Sequence, residues 1–428
     1  MSGEGWRRLH PVSPVVRAGR GAIAIAIVVL PSVLGGRDLT ESAVQFGIVG
    51  LVALLGFVSW LVTRWCIDGD DLRIETGLLR RRSLRFPLSQ VQAIDIVRPG
   101  LARMFRVAEL RLRMGGAAGA TARLAYLPER EAEPLRARLL ALAHGRAEPE
   151  AGAPEPPERV LAFVPPARLA ASILLSDVGI VAEAILVGLI ATAAVSPRAA
   201  GAAIGGGGVW ILAAVTLVWR RFNQEYRLTL AEAHDGLRLR SGLVALTAET
   251  IRPGRVQAVR MVEPLLWRRL GWCRLEVDLA GRQRSEGEGQ AQRRRLRAVL
   301  PVGSRRLGHE LVELILPDVP AERLRPPRRA LVKGPLRYRF LSWGGTDSCV
   351  VTTTGRIRRV TAWVPLVKVQ SFRRVQGPVQ RRLRLASIHL DTAGRSVHAT
   401  LRDREEAEAD TALDELVRRA RAARRRPP

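Results

Sequence analysis

Few residues in this chain have the types and spacing that catalysis or metal binding requires. His309 and Glu310 begin a pattern that resembles the zinc helix of a metalloprotease, but Glu313 stands where that motif needs its second histidine. The four glycines from Gly205 to Gly208 lack the following lysine and hydroxyl residue of a phosphate-binding loop. The sequence therefore predicts no catalytic residue, no cofactor site and no metal site, and we expect a protein that is not an enzyme.

The spacing of the three cysteines also indicates no metal site. Cys66, Cys273 and Cys349 lie far apart in the sequence and form no C-x-x-C pair. Neither a disulfide framework nor a zinc site is indicated by this spacing.

Two acidic residues lie in an otherwise apolar segment. Asp177 and Glu183 fall within residues 169–195, a run long enough to cross a bilayer. Ionisable groups at membrane depth are costly and tend to be functional, so both are candidate intramembrane polar residues. Their separation puts them on different faces of a helix, which disfavours a paired site. The alternative is that the span begins later and leaves Asp177 near the interface.

Basic residues are in large excess. Lysine and arginine together number 68 against 40 acidic residues, which gives a formal net charge of +28. Such a balance favours an anionic partner, either nucleic acid or a phospholipid surface. Candidate contacts for lipid headgroups or a protein partner are Arg80, Arg81, Arg82, Arg85, Arg220, Arg221, Arg268 and Arg269. The same charges would alternatively serve only to orient membrane segments and to keep the domains soluble.

The elements around these residues repeat. Three stretches align without a gap, and each continues into a segment that alternates apolar and polar residues, so the repeated unit is β-structure with one buried face. The aligned positions are Val91-Gln92, Val256-Gln257 and Val369-Gln370, together with Gly77, Gly242 and Gly355. A helical pattern follows each copy, and Ser304 is the expected N-cap of the second of these helices. Each module should therefore be several strands closed by one helix, with the glycines in turns between strands.

Long apolar segments favour a phospholipid surface over nucleic acid as the anionic partner. Residues 43–62 carry no charge and match the roughly 20 residues that span a bilayer core, and residues 199–219 form a second uncharged run. Residues 18–34 and 169–195 precede them as partner segments. Four transmembrane helices in two hairpins are therefore predicted, and Trp65 and Trp219 lie near segment ends, where membrane-interface aromatic residues are common.

Arginine placement predicts the orientation of the hairpins. Arginines flank both hairpins, whereas the short turns hold only Arg37 and Arg198. By the positive-inside rule, both termini and all three modules face the cytoplasm of a bacterial cell, with the chain in the cytoplasmic membrane.

Small β-modules that end in a helix and flank membrane hairpins resemble the membrane-flanked bacterial PH-like domain proteins of the YdbS/YdbT type. The resemblance rests on Gly77-Leu78-Leu79 with Val91-Gln92, on Gly242-Leu243-Val244 with Val256-Gln257 and Leu266-Trp267-Arg268-Arg269-Leu270-Gly271, and on Val369-Gln370 with Gly377-Pro378-Val379-Gln380 and Asp391-Thr392-Ala393-Gly394. It implies an α+β membrane protein in which each module is a bent antiparallel PH-like barrel closed by a C-terminal helix. It also implies no enzymatic activity.

The predicted organisation runs as follows along the chain: 18–62 transmembrane hairpin 1, 63–145 PH-like module 1, 146–168 linker, 169–219 transmembrane hairpin 2, 220–316 PH-like module 2, 317–335 linker, 336–421 PH-like module 3 and 422–428 basic tail.

The expected function is that of a membrane scaffold or adaptor whose modules bind a protein partner or anionic lipid. A companion membrane protein with a single PH-like module is one such partner. The alternative is a component of a transport or export complex that uses Asp177 or Glu183. Nucleic-acid binding and a small-molecule substrate are not expected, because the apolar runs assign the basic charge to a membrane.

Overall fold

The computed structural model of the protein describes residues 7–8, 58, 61–62, 64–68, 71–76, 82–98, 105–114, 121–143, 158–195, 213–233, 236–244, 246–279, 296–316, 318–394 and 396–425. The predictions made for residues 18–57 and 199–212, and for Arg80 and Arg81, lie outside these residues. The chain divides into two compact units, the first formed by residues 1–156, 244–249 and 283–285 and the second by the remainder.

The first unit contains module 1. Its first sheet is antiparallel and consists, in order, of β1 (Arg7–Arg8), β2 (Arg64–Asp68), β3 (Asp71–Thr76) and β4 (Arg82–Pro87). Its second set of strands is β5 (Val91–Arg98), β6 (Val107–Met114) and β7 (Thr121–Pro128), and helix α1 (Glu129–Ala143) follows.

The core of module 1 confirms the predicted strand alternation. Leu110 and Leu112 of β6 are fully buried, as is Leu139 of α1. Trp65, expected at the membrane interface, is instead 2% exposed in this core. It lies on β2, where alternate side chains point into the module, so strand geometry decides its environment.

Module 2 begins with strand β8 (Arg159–Phe163), followed by helices α2 (Pro166–Leu174), α3 (Asp177–Val195) and α4 (213–225). Strands β9 (Thr229–Ala233), β10 (Gly236–Ser241) and β11 (Leu246–Ile251) come next. Strand β8 pairs with β9, and β9 pairs with β10. The predicted linker 146–168 thus contains a strand of this module, and the helices are inserted between its first and second strands.

The rest of module 2 consists of β12 (Val256–Pro264), α5 (Leu265–Arg269), β13 (Trp272–Leu279), β14 (Arg297–Ser304) and α6 (Arg305–Ile315). Ser304 caps α6 as expected, since its hydroxyl accepts a hydrogen bond from the Leu307 N–H at 3.2 Å.

Module 3 contains α7 (Ala330–Lys333), α8 (Pro335–Tyr338), β15 (Ser342–Gly345), β16 (Cys349–Thr354), β17 (Arg358–Pro365), β18 (Val369–Val375), α9 (Pro378–Arg382), β19 (Leu385–Thr392), β20 (Ala399–Glu405) and α10 (Glu406–Arg425). An isolated bridge joins Leu324 to Trp343 of β15, at the place where β8 pairs with β9 in module 2. Helices α7 and α8 therefore take the position of the inserted helices, and the predicted linker 317–335 contributes to the module.

Two sheets of the second unit complete modules 2 and 3. One has six strands in the order β14-β13-β12-β17-β16-β15, and the other has three in the order β18-β19-β20. The six-stranded sheet joins the second half of module 2 to the first half of module 3 through antiparallel pairing of β12 with β17.

The Val-Gln pairs have a structural role. A short 3-10 turn precedes each pair, and Val91, Val256 and Val369 are all buried. The pairing register shifts immediately after each of these valines, in β5, β12 and β18 alike. The glutamine is therefore the extra residue of a β-bulge, which bends the strand at the corner between the two sheets.

The break between α2 and α3 has a local cause. Ser176 lies between the two helices, and its hydroxyl accepts a hydrogen bond from the Gly179 N–H at 3.3 Å. A Cβ at Gly179 would come within 2.2 Å of the Ile173 carbonyl oxygen, so glycine permits the close approach of the two helices. Asp177 consequently lies in the first turn of α3, where a carboxylate interacts favourably with the helix dipole.

Among the described residues, no single helix is long and apolar enough to cross a bilayer. Residues Pro166–Leu174 and Asp177–Thr192 meet that requirement only as a pair, with a 67° bend between them. The four transmembrane helices thus stay a prediction.

One aligned position adopts a left-handed backbone in all three modules. The residue there is Arg106 (φ 51°) in the first, Gly271 (φ 66°) in the second and Arg384 (φ 52°) in the third. This conformation costs a residue with a Cβ about 1–2 kcal/mol, whereas glycine adopts it readily.

We predict that Arg384→Gly increases the free energy of unfolding of the purified chain by roughly 0.5–1 kcal/mol, because relief of strain outweighs the added freedom of the unfolded glycine. Chemical denaturation measures the change. Arg382→Gly is the matched control: it removes an exposed arginine from helix α9 and should lower stability. A loss of stability in Arg384→Gly equal to that of the control would contradict the prediction.

Candidate functional site

Helix α3 exposes apolar side chains over most of its surface. Val181, Val187 and Ile190 are 59%, 64% and 61% exposed, and the helix carries only Asp177 and Glu183 as charged residues. A helix on the surface of a soluble domain normally buries one apolar stripe and exposes a polar one. An exposed apolar surface of this kind is typical of sites that contact a membrane or another protein.

Helix α4 brings the chain back to the module. Its exposed side chains include Val215, Leu217 and Trp219, and they are followed directly by Arg220. This order of apolar residues, tryptophan and arginine is typical of a helix end at a membrane interface.

A buried chain of alternating charges attaches α4 to the second sheet of module 2. Its members, in order of contact, are Arg221, Glu225, Arg274, Glu276 and Arg260. Arg274 donates to Glu225 Oε2 at 3.0 Å through Nη1 and to Glu276 Oε1 at 2.7 Å through Nε. Arg260 Nε donates to Glu276 Oε2 at 3.0 Å. The helix is thus held to strands β12 and β13 by several hydrogen-bonded ion pairs.

The arginines keep both glutamates of this network ionised. Burial raises the pKa of the Glu225 carboxyl, but the charges of Arg274 and Arg221 and their hydrogen bonds outweigh burial and hold the pKa below its usual value. The same balance, with Arg274 and Arg260 as partners, lowers the pKa of Glu276. Arg274 is the only member that contacts both carboxylates among the described contacts, so the network depends on it.

We predict that Arg274→Met lowers the free energy of unfolding by about 3–5 kcal/mol, because it leaves two buried carboxylates without their shared partner. Chemical denaturation of the full chain measures the loss. Arg306→Met is the control, since Arg306 pairs with Glu310 on the surface and removing an exposed pair costs less than about 1 kcal/mol.

The effect of Arg274→Met should also depend on pH. Carboxylates with a depressed pKa in the folded state stabilise it above their unfolded pKa, and that stabilisation is lost as pH falls through the folded pKa. The difference between wild type and variant should therefore be largest near neutral pH and shrink in acid. A difference that stays constant down to acid pH would mean that lost packing, and not lost charge pairing, causes the destabilisation.

The predicted arginine contacts separate into different environments. Arg85, Arg220 and Arg269 are exposed and available to a partner. Arg221 belongs to the buried network, and Arg268 donates to the backbone carbonyl of Arg356 at 2.5 Å. Arg221 and Arg268 thus have structural contacts, which sequence reasoning missed because their partners are determined by the fold.

A second buried ion pair holds the inserted helices of module 3. Asp403 is 2% exposed and accepts hydrogen bonds from Lys333 Nζ at 2.6 Å and from Gln380 Nε2 at 2.7 Å. Lys333 ends α7, so this contact fixes the α7–α8 pair to strand β20 in the way that Glu225 fixes α4 to β13. Sequence reasoning did not single out either residue. The only available signal was that Lys333 is one of two lysines in an arginine-rich chain.

The described residues contain no group of three or more His, Cys, Asp or Glu side chains that could hold a metal ion. His309 packs edge-on against Trp363 with ring centroids 6.0 Å apart, and burial together with Arg323 lowers its pKa. The thiols of Cys273 and Cys349 are buried, which raises the pKa of each to about 12. The two cysteines belong to a hydrophobic core, and His309 is half-buried beside Trp363.

Comparison with known proteins accounts for the repeat. A model of the bacterial PH domain matches the chain three times, over residues 20–143, 170–315 and 311–421. The chain belongs to the bacterial PH domain family. Each match overlaps one of the three modules, and the second includes helices α3 and α4 of module 2. Bacterial PH domains are typically non-catalytic interaction modules. No curated protein and no solved structure matches this bacterial PH domain protein.

Proposed function

We propose that this bacterial PH domain protein is a membrane-flanked scaffold of the YdbS/YdbT type. Its hairpins anchor it in the bacterial cytoplasmic membrane, and its three modules bind a protein partner or anionic lipid on the cytoplasmic side without catalysing a reaction. The proposal rests mainly on one observation. Helices α3 and α4, which expose apolar side chains, are inserted between the first two strands of a PH module.

The physical cost of exposing α3 supports a membrane environment. Each large apolar side chain kept in water forgoes about 1.5–3 kcal/mol relative to full burial. Val181, Val187 and Ile190 are all more than half exposed. A bilayer would bury these side chains without requiring a polar face on the helix, and Trp219 with Arg220 would lie at its boundary.

The way the helices are attached supports a scaffold rather than a separate anchor. The buried Arg274 network ties α4 to the sheet of the module, and Lys333 with Asp403 ties α7 to the sheet of module 3. A module held in this way keeps a fixed orientation relative to its inserted helices. An oriented module presents the same surface to every partner, which favours specific binding.

Transport, the alternative function, is less well supported. Asp177 lies at the start of α3, where it interacts with the helix dipole, and Glu183 lies further along the same helix. The two carboxylates do not share a face, so they do not form one coupling site.

We predict that the full chain stays with the membrane pellet after alkaline washing, and that protease digests the modules in inverted vesicles but not in sealed right-side-out cells. Val187→Arg should release part of the protein from the pellet, because an arginine at the centre of a span costs about 2.5–3.5 kcal/mol. Leu265→Arg, at an exposed position of α5, is the matched control and should leave retention unchanged.

Two results would contradict the proposal. One is recovery of the wild-type chain as a soluble protein in the absence of detergent. The other is digestion of the modules from the outside of intact cells.

A further inference from the structure

Two strands of the repeat have their outer edges covered in the same way. In the first unit, β5 pairs with β11, with Ile96 opposite Ala248. In the second unit, β12 pairs with β17, with Met261 opposite Thr361. The alignment of the repeats places Ile96 and Met261 at one position and Ala248 and Thr361 at another. Strands β5 and β12 each begin the second half of a module, and β11 and β17 each end the first half of the next one. The pairing of β5 with β11 therefore has the same register as the pairing of β12 with β17.

The third copy of this strand, β18, has no such partner. It lies at the edge of its three-stranded sheet, and within the described part of the chain no strand pairs with its outer side. The missing partner strand leaves a side chain of β18 exposed that is buried at the aligned position of the other two modules. Val97 and Val262 are 6% and 1% exposed, whereas Val375 of β18 is 43% exposed. Strand β18 thus presents an apolar side chain that the corresponding pairing buries in the other modules.

A strand edge of the kind that would pair with β18 lies in module 1. Strand β4 is the module 1 counterpart of β11 and β17, and it is the edge strand of its own sheet. Glu249 and Ala362, the counterparts of Leu84, are 3% and 5% exposed, whereas Leu84 is 48% exposed. Among the described strands, β18 and β4 each leave open an edge of a kind that is paired elsewhere in the chain.

We propose that copies of this chain associate head to tail, with β18 of one copy pairing antiparallel with β4 of the next in the register used inside the chain. That register places Arg374 opposite Ser83 and Val375 opposite Arg82. Leu84 then lies diagonally across from Val375 on one face of the joined sheets, within reach of an apolar contact. This inference goes beyond the proposed function, since it names a second copy of the chain as a partner.

The charges on β18 are compatible with this pairing. Arg373 is paired with Asp391 at 2.6 Å, and Arg374 is paired with Glu406 at 2.7 Å and Asp410 at 2.8 Å. These acidic partners offset the repulsion that the arginines of β4 would otherwise cause. In addition, the constant register places no arginine directly opposite another arginine.

The physical basis of the association is strand addition. An unpaired edge presents backbone N–H and C=O groups that a partner strand can satisfy, and side chains at alternate positions supply specificity. The two edges differ, so the contact is heterologous and generates rings or open chains of copies rather than a closed two-fold dimer.

Disulfide trapping tests the register. Full-length Ser83→Cys and Arg374→Cys variants are purified separately, mixed and oxidised. Residues directly opposite each other in an antiparallel pair have Cα atoms about 4.5–5.5 Å apart, a distance that a disulfide spans. We expect a crosslinked pair containing one chain of each variant. Ser83→Cys mixed with Arg373→Cys is the control, because side chains at 373 and 374 point to opposite faces and this pair should not crosslink. The native cysteines described above are buried and do not compete.

Sedimentation of the full chain in detergent solution, with the detergent mass subtracted, tests the association without oxidation. Wild-type protein should increase in mass with concentration, and the double variant Leu84→Lys with Val375→Lys should keep the mass of one chain at the same concentrations. Both positions are exposed, so the lysines block edge pairing without disturbing the cores. The proposal fails if wild type keeps the mass of one chain throughout and the matched cysteines crosslink no more than the control. It also fails if the offset pair crosslinks as well as the matched pair.

Discussion

Pairing of strand edges between modules in one constant register is the interaction on which the organisation of this protein depends. A shift by one residue would turn Met261, which is 1% exposed, from the core to the opposite face of the sheet. The buried valine and the bulged glutamine of each Val-Gln pair fix where β5 and β12 begin and how they bend. The motif therefore positions the edge that the next module uses.

The second constraint is the placement of helices inside a module. Strand β8 precedes α2–α4 and pairs with β9 after them, so the helices leave and re-enter one sheet. The inserted helices keep a fixed orientation relative to the sheet only if the connection between them is rigid. Buried ion pairs supply that rigidity, through Arg274 and Glu225 in module 2 and through Lys333 and Asp403 in module 3. In the proposed scaffold, the contact of Arg274 with Glu225 connects the helices in the bilayer to the sheet of module 2.

The sequence predicted those strands and helices in which apolar residues recur at regular spacing. Alternation located β6, β13 and β19, a helical stripe located α1, and Ser304 marked the start of α6. Strands β1 and β8 were missed, because a two-residue strand and a short segment beside a proline-rich stretch carry too little pattern. Trp65 was misplaced for a related reason, since proximity to an apolar run said nothing about the strand that contains it.

The candidate site was harder to predict than the fold. The arginine clusters could be read from the sequence, but whether each is free depends on distant partners. Arg268 donates to the carbonyl of Arg356, and Glu225 contacts Arg274, across loops that no local pattern reveals. Val375 and Leu84 are exposed where their counterparts in the other modules are buried, and this difference depends on strand pairing that the sequence does not reveal.

Hydrogen exchange of the full chain, resolved strand by strand at low concentration, tests the central claim most directly. Constant-register pairing predicts slow exchange in β12 and β17 together and in β5, and faster exchange in β18, which has the same position in its module but an open edge. Equal protection of β12 and β18, or rapid exchange of β17, would contradict edge pairing as the contact that joins the modules.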